Sequence, residues 1–307
     1  MNTPHFCRGG FAMRPVYPLI AVVSLLIPLE MGAMRIQADE APPEVIELTG
    51  VVRDFKERTA AGGHPDFERQ PDGGFKHFCG NVAEQLGDDG RPVYTGQGYY
   101  VRRQWKDAEY RPICWTVYDQ SLGDRRGRKG GSDTGGIQSA DSFNQWYRDE
   151  PGVNMSKPLT LTFNRQSDGS YVFDDKTDPL YSQRGGFFPI DGELFGNPGG
   201  TPDHNFHFTF ELHTEFTYDA SQDNHFRFTG DDDVWVFVNG QLVIDIGGVH
   251  PAVDQTIDLD RLGLEDGEVY ELDFFFAERH RTQSNFRIVT NLLLETSRMP
   301  PMTAAYD

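Results

Sequence analysis

The stretch GDDDVWVFVNGQLVIDIGGVH, from Gly230 to His250, decides the fold. Two apolar runs, Val234–Val238 and Leu242–Ile246, have strand length and are rich in β-branched and aromatic residues, with Asn239-Gly240 between them. Asn-Gly tolerates the positive φ angles of a type I′ turn, so the stretch predicts a β-hairpin with acidic residues crowded at its entrance.

Outward from the hairpin the pattern has period two. From Phe206 to Tyr218 every even position except Thr214 is apolar, while the odd positions carry His207, Thr209, Glu211 and His213 until Phe216. This predicts a long half-buried strand. The same parity runs through Phe226 and Phe228, then Tyr270, Leu272, Phe274 and Phe276, then Phe286, Ile288, Leu292 and Leu294, and predicts one aromatic core. The N-terminal half is less regular. Leu48–Phe55 and Leu159–Phe163 read as strands, and Asp141–Arg148 as a short helix capped by Asp141 or Ser142. The Gly- and Arg-rich stretch Gly123–Gly136 reads as a mobile surface loop, with a functional basic patch as the alternative. Twenty-three Phe, 33 Gly and 19 Pro suit aromatic strands joined by tight turns better than long helices. The expected fold is all-β, an antiparallel β-sandwich with irregular N-terminal loops and few short helices. Trp235 is expected in the core; Trp105, Trp115, Trp146 and Tyr147 are each expected there too, with a sugar-stacking platform as the alternative reading of these four.

The first 38 residues read as a signal peptide: Arg8 and Arg14 precede an uncharged apolar stretch from Pro15 to Leu29, and small residues follow at Ala33 and Ala38. An uncleaved anchor is the alternative reading of this segment. Beyond it no membrane span is expected. The net charge is −19, and loss of Arg8, Arg14, Arg35 and Glu30 makes the remainder more acidic still. Such a field repels phosphate backbones and attracts divalent cations, so nucleic acid is an improbable partner. Export leaves Cys79 and Cys114 in an oxidising compartment, where a disulfide is expected, contributing about 3–4 kcal/mol.

Asp231, Asp232 and Asp233 place three carboxylates side by side. Like charges this close repel unless a cation or protons intervene, and calcium accepts many oxygen ligands in loose geometry. A triplet of this kind also occurs as a solvated turn. Adjacent residues of a trans strand point to opposite faces, whereas a cis bond would turn two of them to one side.

The hairpin segment, followed by DLDRLGL from Asp258, YELDFFFAERH from Tyr270 and SNFRI from Ser284, resembles the fibro-slime domain, a branch of the protective-antigen-type lectin β-sandwiches. RDF at Arg53, HPDFE at His64, WYRDEPGVN at Trp146 and FFPIDGELFG at Phe187 fit the same pattern. The resemblance spans roughly residues 46–296 and leaves 297–307 as a tail. In sugar-binding members of that superfamily, two successive aspartates joined by a cis bond hold calcium, and the ion takes vicinal hydroxyls of a glycan. The resemblance puts that pair at Asp231 and Asp232, with Asp233 next to it. It implies a further metal ligand from the segment Glu278–Asn285, with Asn285 as the metal ligand and Glu278 either a site residue or the buried ion-pair partner of Arg279. His250 and His280 are candidate ligand contacts, or hydrogen-bonded structural histidines.

The implied function is a secreted calcium-dependent carbohydrate-binding or adhesion module acting on an extracellular polysaccharide or cell-surface glycan, not an enzyme. Two alternatives remain: a matrix or surface-assembly protein in which calcium only braces the fold, and a glycoside hydrolase, which would need two carboxylates facing each other across a sugar.

Overall fold

The computed structural model describes residues 41–302; the expected signal peptide and the last five residues of the expected tail lie outside them. From Pro42 onward the chain forms one compact unit. Its strands are, in chain order, β1 Val45–Phe55, β2 Phe78–Cys79, β3 Gly98–Arg103, β4 Trp105–Lys106, β5 Pro112–Ile113 and β6 Arg128–Asp133. Then follow β7 Asn154–Arg165, β8 Tyr171–Asp174, β9 Phe208–Thr217, β10 His225–Gly230 and β11 Asp233–Val238. The last are β12 Gln241–Ile246, β13 Val253–Asp258, β14 Val269–Glu278, β15 Phe286–Thr290 and β16 Glu295–Arg298. Two single-turn helices, α1 Ala140–Phe143 and α2 Tyr181–Arg184, complete the regular α structure of the described residues.

One hydrogen-bonded path runs β12-β11-β14-β9-β1-β7-β8-β15-β10-β13-β5-β4, with β16 paired to β9; β2, β3 and β6 form a small separate sheet. All pairings are antiparallel except the short contact of β13 with β5. The path curls on itself, because rings from its distant parts meet. Phe286 of β15 lies 5.1 Å from Phe276 and 5.5 Å from Phe274 of β14, 5.3 Å from Phe228 of β10, and stacks on Phe187 at 4.3 Å. The even-parity residues of the sequence pattern fill this sandwich interior, where each buried ring removes a large apolar area from water. The turn between β11 and β12 has φ of 50° at Asn239 and 75° at Gly240, the geometry that the Asn-Gly pair predicts.

The odd-parity face differs from expectation. Thr209, Glu211 and His213 of β9 are buried, as are Trp235 and Phe237 of β11 and Phe275 of β14. Residues 64–148 cover them: Phe143 lies 5.5 Å and Trp146 6.1 Å from Trp235, and Tyr147 lies 5.0 Å from Phe275. There are thus two apolar layers rather than one, which explains why β11 is apolar at successive positions. The polar residues of this face are paired, not solvated. His213 contacts Asp273 through Nδ1 at 2.5 Å and Glu211 through Nε2 at 3.0 Å, while Arg53 donates to Glu211 at 2.7 Å and to Asp149 at 2.9 Å.

Several local expectations change. The helix expected over Asp141–Arg148 is the single turn Ala140–Phe143, with Ser139 rather than Asp141 or Ser142 as its cap and Ser142 returning the bond in a capping box, and residues 144–148 continue as turns and a bend. Part of Gly123–Gly136 is ordered as β6 against β3, and β16 takes in the start of the expected tail, Ser297 and Arg298. The expected Cys79–Cys114 disulfide is not formed; both are buried free thiols. Burial raises both thiol pKa values, away from the thiolate that disulfide chemistry needs, and the Thr116 hydroxyl donates to Cys114 Sγ at 2.9 Å.

Asp245 fastens the covering layer to the hairpin. Its carboxylate accepts from the Gly80 N–H at 2.7 Å, Trp115 Nε1 at 2.7 Å and Trp235 Nε1 at 3.2 Å. Replacing it by alanine leaves the buried Trp235 donor and the part-buried Gly80 and Trp115 donors without their acceptor, each costing on the order of 1 kcal/mol. Asp245→Ala should therefore lower the unfolding free energy by about 3 kcal/mol in a denaturant titration, and a loss below about 1 kcal/mol would refute this role.

Candidate functional site

At one rim of the sandwich, β10 ends at Gly230 and β11 begins at Asp233, so Asp231 and Asp232 form the corner between them. Gly230 is required there because an added Cβ would lie 2.1 Å from the Asn285 carbonyl oxygen. The Asp231–Asp232 peptide bond is cis. Both side chains border a cleft of about 210 Å³, which Phe75, His250, His280 and Arg281 also line.

Each carboxylate is held by N–H donors from the loop between β14 and β15, and Asp232 also by one that follows β12. Asp231 accepts the Asn285 N–H and Asn285 Nδ2, both at 2.8 Å. Asp232 accepts the His250 N–H at 3.3 Å and the Arg279 N–H at 3.2 Å. Glu278, the last residue of β14, completes the group. It is 0% exposed, and neither carboxylate oxygen has a hydrogen-bond partner of normal geometry among the described residues. Its charged neighbours are Asp232 and Asp231.

Burial, and then mutual repulsion, push Asp232 and Glu278 well above the usual carboxylate range; burial also raises Asp231. Without a cation such a group must hold protons. Neighbouring carboxylates are the hard oxygen donors a divalent ion takes, so Asp231, Asp232 and Glu278 are the residues that could hold one, although each aspartate already accepts two N–H groups. Asn285 stands beside them but presents Nδ2 to Asp231, so a half-turn of its amide would be needed to offer Oδ1.

The remaining expected site residues divide. Asp233 is turned away from the cleft, onto the odd-parity face, where it accepts Arg279 Nε and the Gly248 N–H, both at 2.6 Å. Arg279 therefore pairs with Asp233 and not with Glu278. His250 borders the cleft, but Nδ1 bonds the Pro251 carbonyl oxygen at 2.9 Å and Nε2 is buried without a partner. His280 also borders it, with Nδ1 on Glu68 Oε2 at 2.5 Å and its ring 4.2 Å from Phe75.

Glu68 was not singled out from the sequence, although it ends the HPDFE segment. Burial would raise its pKa, but hydrogen bonds from His207 and His280 outweigh that and hold it below the usual range. Glu57, Glu68 and His207 approach within 4.8 Å. Arg281 already neutralises this group, with contacts to Glu57 at 3.1 Å and Glu68 at 3.4 Å.

A carboxyl whose folded-state pKa is raised contributes stability at low pH and loses it as pH rises through the folded value. In chelator, Glu278→Gln should relieve that loss: between about pH 5 and pH 8 the variant's Tm should fall less than the parent's. At the upper end the variant should be more stable by on the order of 1 kcal/mol. Parallel pH curves for the two proteins would show that Glu278 carries no such penalty.

Residues 195–300, which contain the hairpin and the whole carboxylate group, match the family model described as the PA14 domain. The chain is 42% identical over 162 residues to protein psiD of Dictyostelium discoideum, covering 51% of this chain and 30% of psiD. Protein psiR of the same organism is 32% identical over 253 residues, covering 76% of this chain and 20% of psiR. Protein psiI is 46% identical over 150 residues, 46% of this chain and 19% of psiI. The chain thus spans less than a third of the length of each of these relatives. Among solved structures, the PA14 domain of the MpAFP antifreeze protein overlaps 35% of this chain and 60% of that one, with 11% identity and a TM-score of 0.22. A β-glucosidase from Kluyveromyces marxianus in complex with glucose overlaps 33% and 15%, with 13% identity and a TM-score of 0.20.

Proposed function

We propose that this chain, with a PA14 domain at residues 195–300, is an exported, fibro-slime-type module that binds extracellular glycans through calcium and catalyses no reaction. The observation that carries this reading is the pair Asp231 and Asp232 at the cleft, with the fully buried carboxyl of Glu278 as their charged neighbour. When bound there, calcium would supply a loose coordination shell able to accept sugar hydroxyls.

The protein's own residues do the rest. Asn285 and the Arg279 and His250 N–H groups fix the aspartates, so little ordering remains to be done on binding. Phe75 and the His280 ring offer an apolar wall at the same cleft, suited to the C–H face of a sugar. The acids gather at one point instead of flanking a substrate as a general acid and a nucleophile would, which favours a binding role over glycoside hydrolysis. Export, the ion's identity and the glycan are parts of this proposal.

The test is a glycan array run in calcium and again in chelator. Captured glycan should be lost in chelator, and Asp232→Asn should weaken calcium-dependent capture at least about tenfold while leaving far-UV circular dichroism unchanged. Capture that persists in chelator, or in Asp232→Asn, would sink the calcium-lectin reading. A calcium-induced rise in Tm with no glycan captured would instead assign the ion a bracing role in a matrix component.

A further inference from the structure

The small sheet carries a second feature that the carboxylate cleft does not use. Arg125, Arg126, Arg128 and Lys129 fall within five residues of a chain whose net charge is −19. In β3, Arg102 and Arg103 are also exposed. Arg103 stands directly opposite Arg128 across the β3–β6 ladder, an arrangement that costs stability unless an anion intervenes. None of Arg102, Arg103, Arg126, Arg128 or Lys129 has a carboxylate partner among the described residues, whereas nearby Arg111 and Arg261 pair with Asp107 and Asp124. Three of these cations, Arg126, Arg128 and Lys129, border one cleft in a chain with 47 acids against 28 bases.

The face is also shaped. A cleft of about 560 Å³ is lined by Trp105, Trp115, Tyr118, Arg126, Arg128 and Lys129. Gly127 lies flat on the Trp105 ring, where an added Cβ would come within 2.4 Å, so the basic strand is seated on an aromatic floor. Lys129 Nζ stands 3.4 Å from the centre of the Trp115 ring and 5.2 Å from that of Tyr99. Half-buried Trp115 and Tyr118 leave part of their rings open beside the guanidinium groups.

We infer that this face binds a segment of anionic polysaccharide, with Arg126, Arg128 and Lys129 taking its uronate carboxylates or sulfate esters and Trp115 and Tyr118 packing on its sugar rings. Guanidinium forks match both anions, and carboxylate or sulfate on a sugar combines charge with an apolar face as this cleft does. A cleft of this size admits a few sugar units. The site is independent of Asp231, Asp232 and Glu278 and needs no metal ion.

The test uses the full chain in EDTA, titrated with oligogalacturonate, dextran sulfate and neutral dextran. At least one of the two anionic probes should bind, weakening at least about tenfold between roughly 50 and 200 mM salt, while neutral dextran should not. The double variant Arg126→Gln/Arg128→Gln should lose at least about tenfold in affinity. A double variant with the same charge change elsewhere, Lys157→Gln/Arg165→Gln, should not. Asp232→Asn should bind as the parent does, so failure of the calcium site and failure of this one are told apart. The inference is overturned if neither anionic probe binds, if the two double variants behave alike with unchanged circular dichroism, or if a DNA oligonucleotide or polyglutamate binds as tightly.

Discussion

Burial of β9, β11 and β14 on both faces is the constraint from which the rest of the structure follows. A sandwich needs only one apolar face per sheet, but here residues 64–148 close over the outer face as well. Every polar group on that face must then find a partner inside the protein, because an unpaired buried donor or charge costs more than its hydrogen bond returns. The ion pairs are the answer to that demand. Arg53 reaches from β1 to Glu211 and Asp149, and His213 lies between Glu211 and Asp273. Burial alone would lower the His213 pKa, but its bonds to Asp273 and Glu211 outweigh this and raise it, which favours the charged ring between two carboxylates.

The same constraint divides three consecutive aspartates between two tasks. Asp233 is the first residue of β11 and faces the covering layer, where Arg279 is fully buried over the Trp146 ring and needs a counter-ion. Asp231 and Asp232 precede the strand and face the cleft. At the end of β14 the alternation reverses: buried Glu278 lies beside Asp232 and Asp231, and Arg279 faces the layer. Because adjacent strand residues point oppositely, the pairing of Asp233 with Arg279 leaves Glu278 with the aspartates of the rim. The buried ion pair and the convergent carboxylate group are two sides of one register, Asp233 against Ala277.

Much of this was legible in the sequence. Alternating Phe and Leu residues gave the strands and the sandwich interior, and Asn239-Gly240 gave the hairpin, since both are local signals carried by side-chain direction and backbone φ. The acidic corner was visible as a run of like charge. The second layer was not, because Thr209, Glu211 and His213 look the same in sequence whether they meet water or partners such as Arg53 and the Trp146 carbonyl, far away in the chain. Glu278 was a weaker candidate for a related reason: in sequence it sits beside Arg279, and only the strand register separates them. The order of β6 within a Gly- and Arg-rich segment was hidden because its pairing with β3 is irregular and its side chains are polar.

Two kinds of uncompensated charge therefore remain on the molecule, and they differ in physical origin. At the rim, negative charge is concentrated by burial, so its cost is mainly desolvation; protons or a cation relieve it. On the small sheet, positive charge is concentrated at the surface, where water already lowers the cost and only like-charge repulsion across the ladder persists. A buried site of the first kind demands a small ion with several oxygen contacts. An open site of the second kind, beside exposed aromatic edges, tolerates an extended partner whose charges are spaced along it, and its occupancy should depend on salt far more than that of the rim.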